Sequence, residues 1–550
     1  VNKLPSILIT GASGFVGSHL IEMMIENFTV YAIARRSIKE SNISYHRNLH
    51  WIQCDITNKS RLNDAIDYIQ SQGGIDYIFH LAAYYDFTYK YNSAYQSVNI
   101  DGTKNMLELA SRLNIKRFIF ASSIAACKFP KTSEAVTEKS SPDADYHYAR
   151  SKKAGEELLM QYSKFFPCSV VRFAAVFSDW CEYAPLYKFL MRWLSKNFDS
   201  RIIAGKGISA IPYVHIRDLC LLFCKIIDKH KELPDYDVYN CSPNLSTSHN
   251  SIYELSTGYF FGKSKKPIYL PELLALPALI LNRCFNVFRI STSETFEKLW
   301  MINYIDKILN VDSSYTQRVL DWKPTSRYNI SRRLLFILEK MKSHPGEWHL
   351  RNEAALKRIA KRANFIIYEK MSEQKDTILF KINKYILDED PDLKFNQYKQ
   401  IPLVDFKTYS CTIYHLILAT IRSSDRSLFL EYIDKITHQR WSEGFSPETL
   451  CETLKVFDEV IVKQLTSYKE FAKFHQEIYD YVSLTFQIAE DEIEDLYDSF
   501  APKLRDNQIA KVNMLGCTEI PRLIHQLSGV YQALPEEDNK SEVYLINNLR

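Results

Sequence analysis

The sequence predicts an α/β protein, a doubly wound parallel sheet with a small substrate lobe, followed by a C-terminal all-α helical domain. Three observations lead there. Residues 6–125 alternate short apolar runs with amphipathic helical stretches. The first of these runs is followed at once by three glycines within seven residues, in a chain holding only 15 glycines among 550 residues. Beyond about residue 330, proline and glycine thin out and a three- and four-residue apolar period takes over. Strand–helix alternation with buried runs is the pattern of a parallel sheet covered on both faces.

Taken in order, Ile7–Ile9 is a buried strand that runs into the glycine turn and a helix through Ile21–Ile25. Thr29–Ile33, Leu49–Gln53, Tyr77–Leu81 and Arg117–Ala121 are the next four strands, with helices between them that include Asn99–Leu109, and Ser169–Phe173 continues the sheet. The core is placed at 1–175 and the lobe, punctuated by prolines from Pro185 to Pro277, at 175–330. Residues 350–500 read as a helical bundle. Ser446–Pro447 is a helix start, and Leu450, Leu454, Phe457, Ile461 and Leu465 form one apolar face. Residues 501–550 are a tail of uncertain structure.

Composition narrows the function. Lys and Arg number 69 against 65 Asp and Glu, a net charge of +4, too even for a nucleic-acid surface. Eleven cysteines include no Cys-x-x-Cys pair, which fits buried thiols in a reducing cytoplasm better than disulfides or zinc. His438 has no metal-ligating neighbour at a useful spacing, and no metal is expected. The chain opens straight into a strand, so no signal peptide is expected. The run Tyr269–Phe288 contains Pro271, Glu272, Pro277 and Arg283, and reads as a buried or half-buried lobe helix rather than a span. A lipophilic substrate wall or a membrane-surface patch is the sharper alternative.

The glycine turn is Thr10-Gly11-Ala12-Ser13-Gly14-Phe15-Val16-Gly17. Gly11 allows a sharp turn, Gly14 a close approach of backbone to a diphosphate, and Gly17 tight helix–strand packing. The diphosphate of a dinucleotide would sit on the exposed N–H groups at the helix start. At the end of the second strand, where an NAD site places an acid, stand Arg35 and Arg36. Two guanidinium groups favour the 2'-phosphate of NADP, with NAD less favoured.

Tyr148 and Lys152 are four apart at a helix start and share its face. An ammonium group beside the phenol, together with a cationic coenzyme ring, would lower the phenol's pKa and make it a proton donor or acceptor. Ser123 leaves the fifth strand at the sheet's carboxyl edge, placed to hydrogen-bond a reacting oxygen.

The Gly-x-x-Gly-x-x-Gly spacing resembles the extended branch of the short-chain dehydrogenase/reductase superfamily (NAD-dependent epimerase/dehydratase-like), with its Rossmann core. The resemblance runs over about 1–330 and is also carried by His80-Leu81-Ala82-Ala83, Asn99 with Gly102-Thr103, Tyr213–Asp218, and Leu320-Asp321-Trp322-Lys323-Pro324. It implies coenzyme contacts from Asp55, Ile56, Leu81, Ala82, Ala83 and Asn99. It also implies a catalytic Ser123, Tyr148 and Lys152 set, and a homodimer. Many members read Arg-Pro-Gly-Asn-Val-Tyr-Gly where this chain has Arg172–Ser178, with Ala175 in place of the Asn. Ile124-Ala125 stands where dehydratases carry an acid pair. Ser122–Ala125 looks more like hydroxysteroid dehydrogenases and dihydroflavonol reductases. These departures favour a dehydrogenase or reductase acting on a small-molecule substrate, with a nucleotide-sugar epimerase or dehydratase as the alternative. Tyr85, Ser123, Ala175, Trp180 and Glu182 are expected at the substrate. The helical region resembles bacterial sensor modules, so an NADP-binding sensor with a protein partner is a second alternative.

Overall fold

The computed structural model describes residues 4–505 except 42, 44, 45, 87–89, 132, 133, 288–297, 358–360, 391 and 392. The tail from 506 onward therefore lies outside the described residues. The chain divides into two compact units. Among the described residues, the first spans 4–43, 48–343 and 351–357, and the second 46–47, 344–350 and 361–505.

Seven parallel strands form the centre of the first unit. They are β1 (Ser6–Thr10), β2 (Thr29–Ala34), β3 (Leu49–Gln53), β4 (Tyr77–His80), β5 (Arg117–Ser123), β6 (Cys168–Phe173) and an edge strand Tyr236–Cys241. Across the sheet the order is Tyr236–Cys241, β6, β5, β4, β1, β2, β3. The helices around it include α1 (Phe15–Met24), α2 (Lys59–Ser71), α3 (Gly102–Ala110) and α4 (His147–Tyr162). Strand residues alternate between two cores. Ile7, Ile9, Phe79 and Ile119 pack with Leu20 of α1 and with Leu219 and Phe223 of helix Ile216–Asp228. Leu8, Ile78, Phe118 and Phe120 pack on the other face with Leu62, Met106 and Leu159. Both faces are covered, so β1 and its neighbours are apolar throughout rather than alternating.

Two elements differ from expectation. The edge strand Tyr236–Cys241 was not anticipated, yet it pairs with β6 in register from Tyr236 opposite Cys168. The helix expected from Asn99 begins earlier, as a π-helical stretch Tyr95–Asp101 that runs into α3.

The second unit is helical. Its long helices include Leu403–Ser423, Ser427–Ser442, Pro447–Thr466 and Leu484–Arg505. Leu450, Leu454, Phe457, Ile461 and Leu465 do form a buried face, and the Ser446 side chain caps Pro447–Thr466 by accepting from Thr449 N–H. Arg440 is buried against the rings of Tyr409 and Phe445, 5.3 and 5.0 Å from their centroids.

A buried ion pair ties β5, β6 and α4 together. Glu156 on α4 accepts from Arg172 Nε at 3.0 Å and Nη2 at 2.7 Å, and from Ser122 Oγ at 2.6 Å. The fourth bond, Arg172 Nη1 to the Ser140 carbonyl at 2.7 Å, closes the network. Both side chains are almost wholly buried, so removing one partner strands the other's charge. Arg172→Met is expected to cost about 3–5 kcal/mol in urea unfolding. Arg172→Met combined with Glu156→Gln should recover much of that loss.

Candidate functional site

The carboxyl edge of the sheet gathers the residues singled out in the sequence. Gly11 follows β1 with φ of 70°, and a Cβ there would lie 2.8 Å from Ala82 N. Gly17 lies on α1, where a Cβ would come 2.4 Å from Gly11 O. Neither position admits a side chain. Gly14 is the N-cap of α1 and no side chain caps that end. The helix start thus lacks a side-chain cap and follows a turn that admits no side chain at Gly11, which fits a diphosphate.

A directed chain of hydrogen bonds fixes the loops beside this cradle. Thr103 Oγ1 donates to Asn99 O at 2.6 Å, so it accepts from His80 Nε2 at 3.0 Å. His80 Nδ1 then accepts from Thr10 Oγ1 at 2.8 Å, and Thr10 Oγ1 accepts from Ala82 N at 3.2 Å. Burial, with the Lys152 charge second, lowers the His80 pKa to about 3 and keeps the ring neutral. The Asn99 side chain is spent inside the protein. It accepts from Tyr84 N and donates to Tyr84 O and Ser151 Oγ, at 2.6, 2.8 and 2.9 Å. Its visible work is to hold the loop after β4.

Asp55 Oδ1 accepts from Thr57 N at 2.9 Å, and Ile56 packs against Gly102. Arg36 reaches the glycine turn, with Nη1 3.4 Å from Ser13 Oγ. Its pKa is lowered by burial and then by the neighbouring Arg35 charge. The two backbones are pinned to β3 through Gln53 Nε2 to Arg35 O (3.1 Å) and Trp51 Nε1 to Arg36 O (2.9 Å).

Ser123, Tyr148 and Lys152 come together at the end of β5 and the start of α4. Ser123 and Tyr148 lie on the wall of the same cavity, close enough for the Ser123 hydroxyl to favour the Tyr148 phenolate. Lys152 is 4% exposed and donates to Ala121 O at 2.7 Å. Its Nζ lies 5.0 Å from the Phe120 ring centroid and 5.7 Å from that of Tyr148. In the protein without coenzyme, desolvation raises the Tyr148 pKa and the Ser123 hydroxyl offsets only part of this. The Lys152 ammonium faces a carbonyl rather than the phenol oxygen. Burial lowers Lys152 itself to about 8, with the Glu156 charge pulling the other way.

Tyr85, Ser123, Tyr148 and Ala175 line a cavity of about 1190 Å³ in the first unit. Most of its wall is aromatic or aliphatic, including Phe189, Trp193, Leu279 and Trp300. Arg192, Asn197 and Lys307 add polar groups that the sequence reading missed, since nothing local marks them. Trp180 and Glu182 are not among the lining residues. Trp180 is sandwiched by Lys340 and Arg351, whose charges lie 4.8 and 4.5 Å from its ring. Glu182 accepts from Ser178 Oγ at 2.5 Å. The adjacent Asp179 accepts from Arg333 and His215, and these bonds outweigh burial to hold it at about 2. That segment builds the lobe instead, and Tyr183 is its member on the cavity wall.

Residues 7–242 match the NAD dependent epimerase/dehydratase family. The chain is 26% identical over 221 residues to the N-acetyl-alpha-D-glucosaminyl-diphospho-ditrans,octacis-undecaprenol 4-epimerase of Escherichia coli O157:H7, a match covering 38% of this chain and 62% of that one. It is 30% identical over 169 residues to the sterol-4-alpha-carboxylate 3-dehydrogenase of Candida albicans, covering 29% and 46%. Each match therefore spans less than two thirds of the relative. A UDP-glucose 4-epimerase of Thermotoga maritima has a similar fold at TM-score 0.47 and 21% identity, covering 61% of this chain and 98% of that one. These relatives are two 4-epimerases and a dehydrogenase, and the family matched by residues 7–242 is NAD dependent. The family match favours the epimerase/dehydratase alternative over the dehydrogenase reading preferred from the sequence.

The Lys152 environment sets a pH dependence. In NMR of the protein without coenzyme, Lys152 is expected to be charged below about pH 8 and neutral above it. Glu156→Gln removes the charge that supports the ammonium, so the midpoint should fall further. A Lys152 midpoint near the ordinary lysine value would contradict this picture.

Proposed function

Residues 7–242 belong to the NAD dependent epimerase/dehydratase family, and on that premise we propose that the chain catalyses reversible hydride chemistry at an alcohol or carbonyl carbon held in the 1190 Å³ cavity. The reaction is of the epimerase/dehydratase kind, in which the coenzyme ends unchanged. One observation carries this reading: Ser123 and Tyr148 stand together on the cavity wall, with the Nζ of the buried Lys152 5.7 Å from the Tyr148 ring centroid.

The dinucleotide, when bound, supplies the hydride acceptor and donor. Gly11, Ser13, Gly14 and Gly17 would hold its diphosphate and Asp55 its adenosine end. The chain's own groups handle the proton. Tyr148 takes it from the substrate hydroxyl and returns it, and Ser123 aligns the same oxygen. The Lys152 charge lies close enough to favour the phenolate during that transfer. Desolvation keeps the Tyr148 phenol protonated in the protein without coenzyme, so it would release that proton to solvent when the positive coenzyme ring binds, before it can accept one from the substrate hydroxyl.

The preferred coenzyme is NADP. Arg36 stands within reach of the glycine turn, and its charge is disfavoured by burial and by Arg35, both of which an added phosphate would relieve.

A second reading is a net dehydrogenase or reductase. The apolar cavity wall and Ala175 favour it, since both suit a lipophilic substrate better than a sugar diphosphate.

Tyr148→Phe is expected to lower turnover at least about 100-fold while leaving NADPH affinity nearly unchanged. With wild type, substrate conversion without net change in nicotinamide absorbance supports the epimerase kind; a stoichiometric change supports the second reading. Arg35→Ala with Arg36→Ala should weaken NADPH roughly 10- to 100-fold by calorimetry and leave NADH untouched. Equal losses for both coenzymes would refute the phosphate role.

A further inference from the structure

The lobe helix Glu272–Val287 is apolar on two opposite sides. The sequence led us to expect it buried or half-buried. Ala275, Ala278 and Leu279 do face inward and line the cavity. At 100° per residue, Leu273, Leu276 and Ile280 fall on the other side of the helix. Leu273 is 91% exposed, and Leu276, Ile280 and the flanking Leu274 are each about half exposed. The preceding strand Ile268–Leu270 adds Ile268 and Tyr269, also exposed.

A water-facing helix ordinarily carries polar residues on its outer side, and a contiguous exposed apolar patch marks an interaction surface. Charge identifies the occupant. Immediately before the strand stand Lys263, Lys265 and Lys266, and from 262 to 280 the only acid is Glu272. Lys263 and Lys266 are exposed, and Lys265 is half-buried with its ammonium over the Phe261 ring at 3.5 Å. An apolar stripe bordered by lysines suits the boundary between anionic headgroups and acyl chains. It suits a second copy of the chain less well, because a twofold contact would bring two lysine clusters together. Among the described residues no helix is long and apolar enough to cross a membrane, so contact would be with one leaflet.

We propose that this face docks on an anionic lipid surface. The helix then separates the bilayer from the cavity by its own width, and a membrane-dissolved alcohol or ketone would reach Tyr148 along its inner side. This last step rests on the proposed chemistry, whereas docking does not.

Flotation of the full chain with vesicles tests docking without turnover, so the two can fail separately. Vesicles of phosphatidylcholine containing roughly a third phosphatidylglycerol should carry at least about fivefold more protein than phosphatidylcholine alone, and added salt should reduce the difference. Leu273→Glu with Leu276→Glu should abolish flotation at an unchanged melting temperature, since both side chains already face water. Charge reversal at Lys263 and Lys266 should remove the preference for anionic vesicles. The proposal is overturned if wild type does not float, if the Leu variant floats as well as wild type, or if light scattering shows that the Leu variant splits a dimer of this chain.

Discussion

The neutral ring of His80 is the constraint on which the site depends. It sits at the end of β4, between β1 and β5, and its two nitrogens join the hydroxyls of Thr10 and Thr103. Because Thr103 donates onward to Asn99 O, the direction of every bond in the chain is determined. The glycine turn, the loop after β4 and the start of α3 are thereby locked to one another. A charged imidazole would present two donors, reverse the bond to Thr10 and leave the Thr10 hydroxyl proton without its present acceptor. Full burial prevents that, holding the ring's pKa far below neutrality. Asn99 extends the same frame through Ser151 to α4, the helix that carries Tyr148 and Lys152. The coenzyme cradle and the reacting hydroxyls are held by one continuous set of buried polar groups.

Much of this was legible in the sequence, for a local reason. Gly17 is required by a clash with the backbone of Gly11 and Ala12 a few residues away, and Gly11 by its own left-handed backbone, so their spacing announces the turn. Tyr148 and Lys152 share a helix face by arithmetic alone. What was not legible depends on partners far along the chain. Trp180 looked like a pocket aromatic, but the cations that cover it are Lys340 and Arg351. The edge strand Tyr236–Cys241 mixes Asp237 and Asn240 with apolar residues, because only one of its edges is paired and its pattern lacks the uniform apolarity of β1. The desolvation that surrounds Tyr148 and Lys152 in the protein without coenzyme was also hidden, because it comes from residues outside the helix that carries them.

The cavity adds a tension that the family relationship alone would not suggest. Its polar chemistry is concentrated at Ser123 and Tyr148, while most of the wall offers aromatic and aliphatic surface. A site of that kind orients a ligand through one oxygen and gains affinity by burying hydrocarbon. The lobe helix Glu272–Val287 supplies part of that surface from one side and turns an apolar side outward. Contact with substrate and with the proposed lipid surface would then belong to the same short stretch of chain, far in sequence from Ser123, Tyr148 and Lys152.

Arg117, at the start of β5, bears on how the molecule comes to exist. Its buried guanidinium donates to the carbonyls of His230, Leu233 and Pro234, more than a hundred residues downstream. A chain that ended at α4 would hold Ser123, Tyr148 and Lys152 but lack all three carbonyls that the buried Arg117 uses. The strand that carries Ser123 is therefore completed by residues more than a hundred positions beyond its first, and a truncation after α4 would leave that guanidinium without its acceptors.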